Sequence, residues 1–210
     1  MAEFLSDAEK ADAIKAWLKE NGTSIIVGVS LAAVIVFSYR YWQDYTVTQS
    51  QNASNIYSSV QQDAAKSQSK IEQLKTDYAE TPYASLAALH AAKNYALKGD
   101  NAAAIKELAW VVNHSSEALT QDLAKLRLAR VYIASKQLDK ASTLLEDSFP
   151  NAYASLVSEL KGDIHLAKQE IQKARDAYDK ALLSSKGLAS DYLKMKRDDL
   201  GSAISVQKGS

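Results

Sequence analysis

An all-α fold is the class this sequence predicts, with an N-terminal transmembrane helix followed by an α-solenoid of paired helices. Three observations predict it. The nineteen residues from Asn21 to Tyr39, NGTSIIVGVSLAAVIVFSY, carry no charge. Only two prolines and seven glycines occur in 210 residues, amid abundant Ala, Leu, Lys, Gln and Glu, a composition suited to an almost wholly helical chain. A pattern of small and large residues then recurs three times between Ala92 and Tyr178.

Residues 1–21 form a short tail. Within it, Asp7 to Glu20 reads as an amphipathic helix with Ile14, Trp17 and Leu18 on one face. The transmembrane helix is placed at 22–39. At 1.5 Å rise per residue, the uncharged run covers roughly 28 Å, close to the ~30 Å hydrocarbon core of a bilayer. Ile25, Ile26, Val27, Val29, Leu31, Val34, Ile35, Val36 and Phe37 supply roughly −3 to −5 kcal/mol of insertion energy. The Thr23, Ser24, Ser30 and Ser38 hydroxyls can bond back to helix carbonyls and subtract little. Tyr39, Tyr41, Trp42 and Tyr45 make an interface belt at one end, with Arg40 able to snorkel among them. The apolar stretch is longer than a signal-peptide core, and the bulky SYRYWQDY after it lacks a small-residue cleavage site, so an uncleaved anchor fits better. Lys10, Lys15 and Lys19 precede the run, and Arg40 alone follows it before Lys66. That bias places the N-terminus in the cytoplasm and the C-terminal part across the membrane.

Composition removes whole classes of function. Lys plus Arg equals Asp plus Glu, 25 each, so no strong field exists to attract nucleic acid. With no Cys, a disulfide framework, a thiolate zinc site and a cysteine nucleophile are all excluded.

Residues 40–80 read as linking helices. Gln43 to Lys66 leaves the membrane with a weakly apolar face of Val47, Ala53, Ile56, Tyr57 and Val60, and Ile71 to Tyr78 is a second, short helix. Thr81-Pro82 breaks the chain, and Pro82 suits the first turn of the next helix, where its missing N–H costs little.

Residues 81–200 carry the repeat. Ala92, Ala129 and Gly162 are anchors 37 and 33 residues apart, bracketing the 34-residue tetratricopeptide period. Three residues after each stand Tyr95, Tyr132 and His165, twelve after stand Ala104, Ala141 and Ala174, and sixteen after stand Leu108, Leu145 and Tyr178. Small residues at the anchor and twelve beyond it let paired helices approach closely. The residue three beyond fills the space between them, and the one sixteen beyond is expected to pack on the next repeat. Turns fall at Lys98-Gly99-Asp100-Asn101, Lys136-Gln137-Leu138 and Lys168-Gln169-Glu170, and Pro150 closes the second repeat. The expectation is a tetratricopeptide-repeat-like α-solenoid. Gly187 is a break, and Asp191 to Leu200, with Lys194, Lys196, Arg197, Asp198 and Asp199, is a final helix with the polar face of a solenoid cap. Residues 201–210 are expected to be a disordered tail.

No catalytic pattern stands out. His90, His114 and His165 lie far apart without a second ligand at metal spacing, and no G-x-S-x-G, H-E-x-x-H, P-loop or G-x-G-x-x-G motif occurs. His165 is expected to be a satisfied core imidazole. The reading is therefore a non-enzyme without cofactor or metal. Binding is the better idea, since the first helix of each repeat lines the concave side of such arrays. The candidate protein-binding groove comprises Leu86, Leu89, Lys93 and Leu97, then Leu123, Leu126, Arg130 and Ile133, then Leu156, Glu159, Asp163 and Leu166. It mixes apolar and charged groups and could hold a segment of another protein.

The tail ending AIKAWLKENG, the span, YRYW directly after it, PYASLAAL from Pro82 to Leu89, LRLARV from Leu126 to Val131 and ARDAYDKAL from Ala174 to Leu182 follow one another in an order and spacing that resembles the YfgM family of bacterial inner-membrane proteins. The resemblance covers roughly residues 10 to 200; Ser38-Tyr39 stands where the family commonly has Gly-Trp. It implies a single-span protein of the bacterial inner membrane with a periplasmic tetratricopeptide-like domain. It further implies association with the SecYEG translocon and with a PpiD-like periplasmic chaperone, and help in passing exported polypeptides to periplasmic chaperones. The family carries no catalytic residues. A different class of function, a membrane-tethered regulator whose cytoplasmic tail sequesters a signalling protein, is motivated by the helix from Asp7 to Glu20.

Overall fold

A computed structural model of the chain describes residues 7–62, 67–185 and 191–207, with the backbone alone for Asp7 and 202–207. Among these residues every regular element is helical: α1 (Asp7–Gln62), α2 (Ser67–Asp77), α3 (Pro82–Leu97), α4 (Asn101–His114), α5 (Ala118–Ala134), α6 (Leu138–Leu144), α7 (Ala154–Ala167), α8 (Ile171–Ser184) and α9 (Asp191–Gln207), with a 3-10 turn at Asn151–Tyr153. The chain divides into two units, Met1–Gln49 and Ser50–Ser210.

In the first unit, α1 contains both the amphipathic tail helix and the span, which the sequence reading treats as separate pieces. Helix Gln43 to Lys66 is likewise the continuation of α1 as far as Gln62, and residues 63–66 lie outside the described residues. Nothing in the run can break a helix. No proline intervenes, and Gly22 and Gly28 cost only about 1 kcal/mol each. In hydrocarbon, unpaired backbone groups are dearer still, so the helix carries its hydrogen bonds across. The apolar side chains of the run point outward: Ile26 is 67 % and Phe37 71 % exposed. A core helix of a water-soluble domain would bury them; this helix is long and apolar enough to cross a membrane and leaves its apolar side chains outward.

The second unit opens on the last turns of α1. Ala53 and Val60 are buried with Ile71 and Leu74 of α2 and Ala84, Ala87 and Ala91 of α3. Beside this cluster Lys75 of α2 reaches Glu107 of α4 at 2.9 Å, both side chains almost wholly buried, with the ammonium 5.6 Å from the Trp110 ring centroid. Pro82 stands in the first turn of α3, as the sequence indicates, and Thr81 before it makes no side-chain capping bond, its hydroxyl donating instead to the Tyr78 carbonyl at 2.7 Å.

Three helix pairs follow, α3–α4, α5–α6 and α7–α8. Each is joined by the same turn. Gly99, Lys136 and Gln169 have φ of 79°, 60° and 62°, each seven residues beyond its anchor. The Asp100, Gln137 and Glu170 amides donate to the Tyr95, Tyr132 and His165 carbonyls at 2.9, 2.8 and 2.9 Å. The Gly99, Lys136 and Gln169 amides donate to Ala96, Ile133 and Leu166 at 3.1, 3.0 and 2.9 Å. This is a Schellman closure, which satisfies carbonyls left over at a helix end and reverses the chain within three residues. The anchors and the alanines twelve residues on are all buried. Leu108 packs in one cluster with Ala92, Leu145 in a second with Ala129. In these two repeats the residue sixteen beyond the anchor thus shares a cluster with its own anchor and, as expected, with the first helix of the next repeat. Helix α3 also contacts α5, and α5 contacts α7, so the first helices of the pairs are neighbours.

Helix α6 has only seven residues, and Pro150 stands six residues beyond its end, before the 3-10 turn that leads into α7. One element departs from expectation. Helix α9 continues past Leu200 to Gln207 instead of giving way to a disordered tail at Gly201. One helical glycine is too small a penalty to stop it. Residues 208–210 and Gly187 lie outside the described residues. Leu193 and Leu200 of α9 are buried with Ala174, Tyr178 and Ala181 of α8, so α9 covers the end of the third pair.

Candidate functional site

Helices α3 and α5 present matching stripes toward each other. On α3 they are Leu89, Ala92, Lys93 and Ala96; on α5, Arg127, Arg130, Val131 and Ala134. Both follow the i, i+3, i+4, i+7 spacing of one helix face. Small residues at 92, 96 and 134 leave the space between the walls unfilled, and Asn101 and Leu108 of α4 complete the lining. The result is an open cleft of about 480 Å³. Leu89, Leu108 and Val131 are buried at its floor, while Lys93, Arg127 and Arg130 are exposed at its rim.

Of the twelve groove residues read from the sequence, Leu89, Lys93 and Arg130 meet in this cleft. Leu86, Leu97 and Leu166 are exposed but outside its lining. Leu123 is half-buried, and so are Ile133 and Leu156, which pack against the second apolar cluster. Leu126 is not on a groove at all: it is 1 % exposed, inside that cluster with Leu160 and Ile164. Leu89 serves as floor, with 6 % of its surface exposed.

Glu159 and Asp163 are consumed within the fold. Lys196 of α9 bonds to Glu159 at 2.9 Å and to Asp163 at 2.8 Å. The Tyr178 hydroxyl donates to Asp163 at 2.7 Å. Burial acts to lower the Lys196 pKa, but the hydrogen bonds to Asp163 and Glu159 outweigh it and hold the ammonium above its usual range. Burial, aided by the hydrogen bond to Asp163, pushes the Tyr178 phenol far above its ordinary value. Lys196, expected on the polar outer face of the cap, is therefore turned inward.

His165 is not a core imidazole. It is half-exposed beside the turn, with Nδ1 2.6 Å from Glu170 Oε2. That hydrogen bond, with a second from Lys173, lowers the Glu170 pKa. His114 stacks on Trp110, ring centroids 4.7 Å apart. Among the described residues no group of three His, Asp or Glu side chains is arranged to hold a metal ion.

The sequence reading missed Arg127, Asn101 and the alanines of the wall. The signal for Arg127 was present: Arg127, Arg130, Val131 and Ala134 form one helical stripe. Transferring the α3 pattern onto α5 by the repeat spacing selected Leu126 instead, one residue too early. Facing helices meet through opposite flanks, so the register shifts between them.

Comparison with known proteins agrees with this architecture. A family model described as a tetratricopeptide repeat-like domain matches residues 15–202. A protein of Haemophilus influenzae named "Ancillary SecYEG translocon subunit" is 32 % identical over 204 residues, covering 95 % of this chain and 100 % of the relative. Proteins of the same name from Escherichia coli K12 and Neisseria gonorrhoeae are each 28 % identical, over 205 and 208 residues, again covering 95 % of this chain and 99 % and 100 % of theirs. No solved structure gives a significant match.

Proposed function

The chain belongs to the YfgM family, with its tetratricopeptide repeat-like domain, and from that premise we propose that it is a membrane-anchored ancillary subunit of the SecYEG translocon, acting by protein–protein binding. The observation that carries the proposal is the near-full-length match to relatives of that name, in a chain whose N-terminal helix exposes its apolar side chains. The domains of the proposal are a cytoplasmic tail at 1–21, a bilayer span at 22–39, linking helices at 40–80 and a periplasmic repeat domain from 81. The excess of Lys10, Lys15 and Lys19 over Arg40 supports this orientation in the bacterial inner membrane.

In this reading α1 docks beside partner helices in the bilayer. The repeat domain holds a PpiD-like chaperone at the exit side and receives exported polypeptides for the periplasmic chaperones. The inner faces of α3, α5 and α7 are the proposed contact surface, through the exposed members Leu86, Lys93, Leu97, Arg130 and Leu166.

The test is photocrosslinking in intact cells. A photoreactive residue at Leu86, Leu97 or Arg130 should trap a translocon or chaperone partner, and one at the exposed Lys106 or Lys180 of the second helices should not. Crosslinks from the second helices alone would remove the inner face from the account. Protease added to spheroplasts should digest the repeat domain; full protection would reverse the orientation. The tethered-regulator reading has one supporting observation, the exposure of Ile14, Trp17 and Leu18. Deleting residues 1–16 separates the two, since only the regulatory role depends on the tail.

A further inference from the structure

The cleft between α3 and α5 differs from two other clefts of the repeat domain, whose linings mix lysines with carboxylates such as Glu146, Asp147 and Glu170. Its lining holds three cations, Lys93, Arg127 and Arg130, and no carboxylate. Among the described residues none forms a hydrogen bond or ion pair with these three side chains. Several cations elsewhere in the domain are paired, whereas lone lysines such as Lys106 and Lys161 stand apart from one another on exposed helix faces. Lys75 meets Glu107, Lys125 meets Asp147, Lys168 meets Asp139, and Lys196 meets Glu159 and Asp163. In a chain with equal numbers of positive and negative residues, three unmatched cations around one apolar cleft are a local excess.

We propose that this cleft recognises an acidic segment of a partner protein, seating an aliphatic or aromatic side chain on the Leu89–Val131 floor and its flanking carboxylates on Lys93, Arg127 and Arg130. The inference rests on the reading of the repeat domain as a protein-binding scaffold and adds the chemistry of what it binds. A cleft of about 480 Å³ is of the size that takes a few side chains, not a flat protein surface. The order of groups also selects the ligand. The buried floor is aliphatic and the exposed rim cationic, so a ligand must lead with an apolar group and keep its charge outside. A peptide with alternating apolar and acidic residues does this; an anionic lipid in a bilayer presents its headgroup first. Guanidinium groups bind carboxylates through two parallel N–H···O bonds, and the apolar walls strengthen such pairs relative to open water.

The experiment uses the full chain in phosphatidylcholine nanodiscs. The probe is a short fluorescein-labelled peptide with leucines spaced among glutamates, compared with its glutamine counterpart by fluorescence anisotropy. The acidic peptide should bind saturably, more weakly as salt rises, and the glutamine peptide should not. Arg127→Glu with Arg130→Glu should weaken binding by at least about tenfold. Ala96→Trp, which fills the cleft without altering charge, should do the same, and Lys106→Glu should leave binding unchanged. All four substituted positions are exposed, and circular dichroism verifies the fold of each variant. Equal binding of the glutamine peptide, full binding by the Arg127→Glu/Arg130→Glu protein, or displacement of the peptide by phosphatidylglycerol vesicles would overturn the proposal. Co-purification with SecYEG is read separately on the same variants. Retained SecYEG with no peptide binding by the parent protein defeats this inference and leaves the translocon reading standing; lost SecYEG with peptide binding intact does the reverse.

Discussion

The ring of Tyr178 occupies the space that a Cβ on Gly162 would fill. The two residues are the anchor of the third repeat and the position sixteen beyond it. In the other repeats the same pair is Ala92 with Leu108 and Ala129 with Leu145, so a smaller anchor accompanies a larger partner.

Gly162→Ala should therefore destabilise the repeat domain, although alanine is the better helix former by about 1 kcal/mol. Overpacking against an aromatic ring costs about 1–3 kcal/mol, which outweighs that gain. Adding Tyr178→Leu, which restores the pairing of the first two repeats, should recover part of the loss. Guanidinium unfolding followed by Trp110 fluorescence, in a Trp17→Phe/Trp42→Phe background, measures both. A Gly162→Ala protein as stable as the parent would show that the ring yields freely.

Lys136 and Gln169 hold the left-handed conformation that Gly99 holds in the first turn. A non-glycine residue there is strained by roughly 1–2 kcal/mol. Lys136→Gly and Gln169→Gly should each raise the unfolding free energy by a fraction of that amount, because glycine also gains freedom in the unfolded chain. Gly99→Ala should lower it. The three measurements have opposite signs at equivalent positions, which separates backbone strain from lost side-chain contacts.

Lys75 and Glu107 tie α2 to α4 through a buried ion pair. Lys75→Met alone leaves a buried carboxylate without its cation and should cost about 3–5 kcal/mol. Lys75→Met with Glu107→Leu should cost much less, because the uncompensated charge is gone. A double-mutant cycle by chemical unfolding gives the coupling; additive losses would mean that the pair does not act as a unit.

Tyr178 and Lys196 both have raised pKa values in the folded chain, so each binds its proton more tightly folded than unfolded. Their contribution is fully present below the ordinary values of 10.0 and 10.5 and is lost as pH rises above them. Stability should fall as pH rises above about 10, and Tyr178→Phe should flatten that decline while lowering stability at neutral pH by about 1 kcal/mol for the missing hydrogen bond. An alkaline limb unchanged in Tyr178→Phe would assign the loss to other groups.

Much of the fold was legible because it rests on local rules. The uncharged run from Asn21 to Tyr39 marks the span through composition alone, and Pro82 marks the start of α3. The anchors at 92, 129 and 162 predict the turns seven residues later, even though Lys136 and Gln169 give no glycine signal there. The binding face was less legible. Which flank of α5 meets α3 depends on how the helices pair, and repeat spacing alone chose Leu126 over Arg127. Glu159 and Asp163 looked like groove residues because their partner, Lys196, lies more than thirty residues away on a helix whose docking the sequence does not reveal. Whether the helix from Gln43 continues from the span or hinges near Asp44 was open from the sequence, because polarity changes along the chain mark the membrane boundary without saying what the backbone does there; α1 runs through Asp44 without a break.

The central claim is that this chain is a membrane-anchored companion of the translocon. The most direct measurement is affinity purification of the tagged full-length protein from membranes in mild detergent, with quantitative mass spectrometry of what accompanies it, beside the same experiment on Val29→Arg. A central arginine should cost about 2.5–3.5 kcal/mol of insertion energy, most of what the apolar run supplies. The account predicts SecYEG subunits enriched with the parent protein, and a Val29→Arg protein that leaves the membrane fraction and brings none of them. A parent protein recovered from membranes without SecYEG, or a Val29→Arg protein that keeps both membrane and SecYEG, would contradict it.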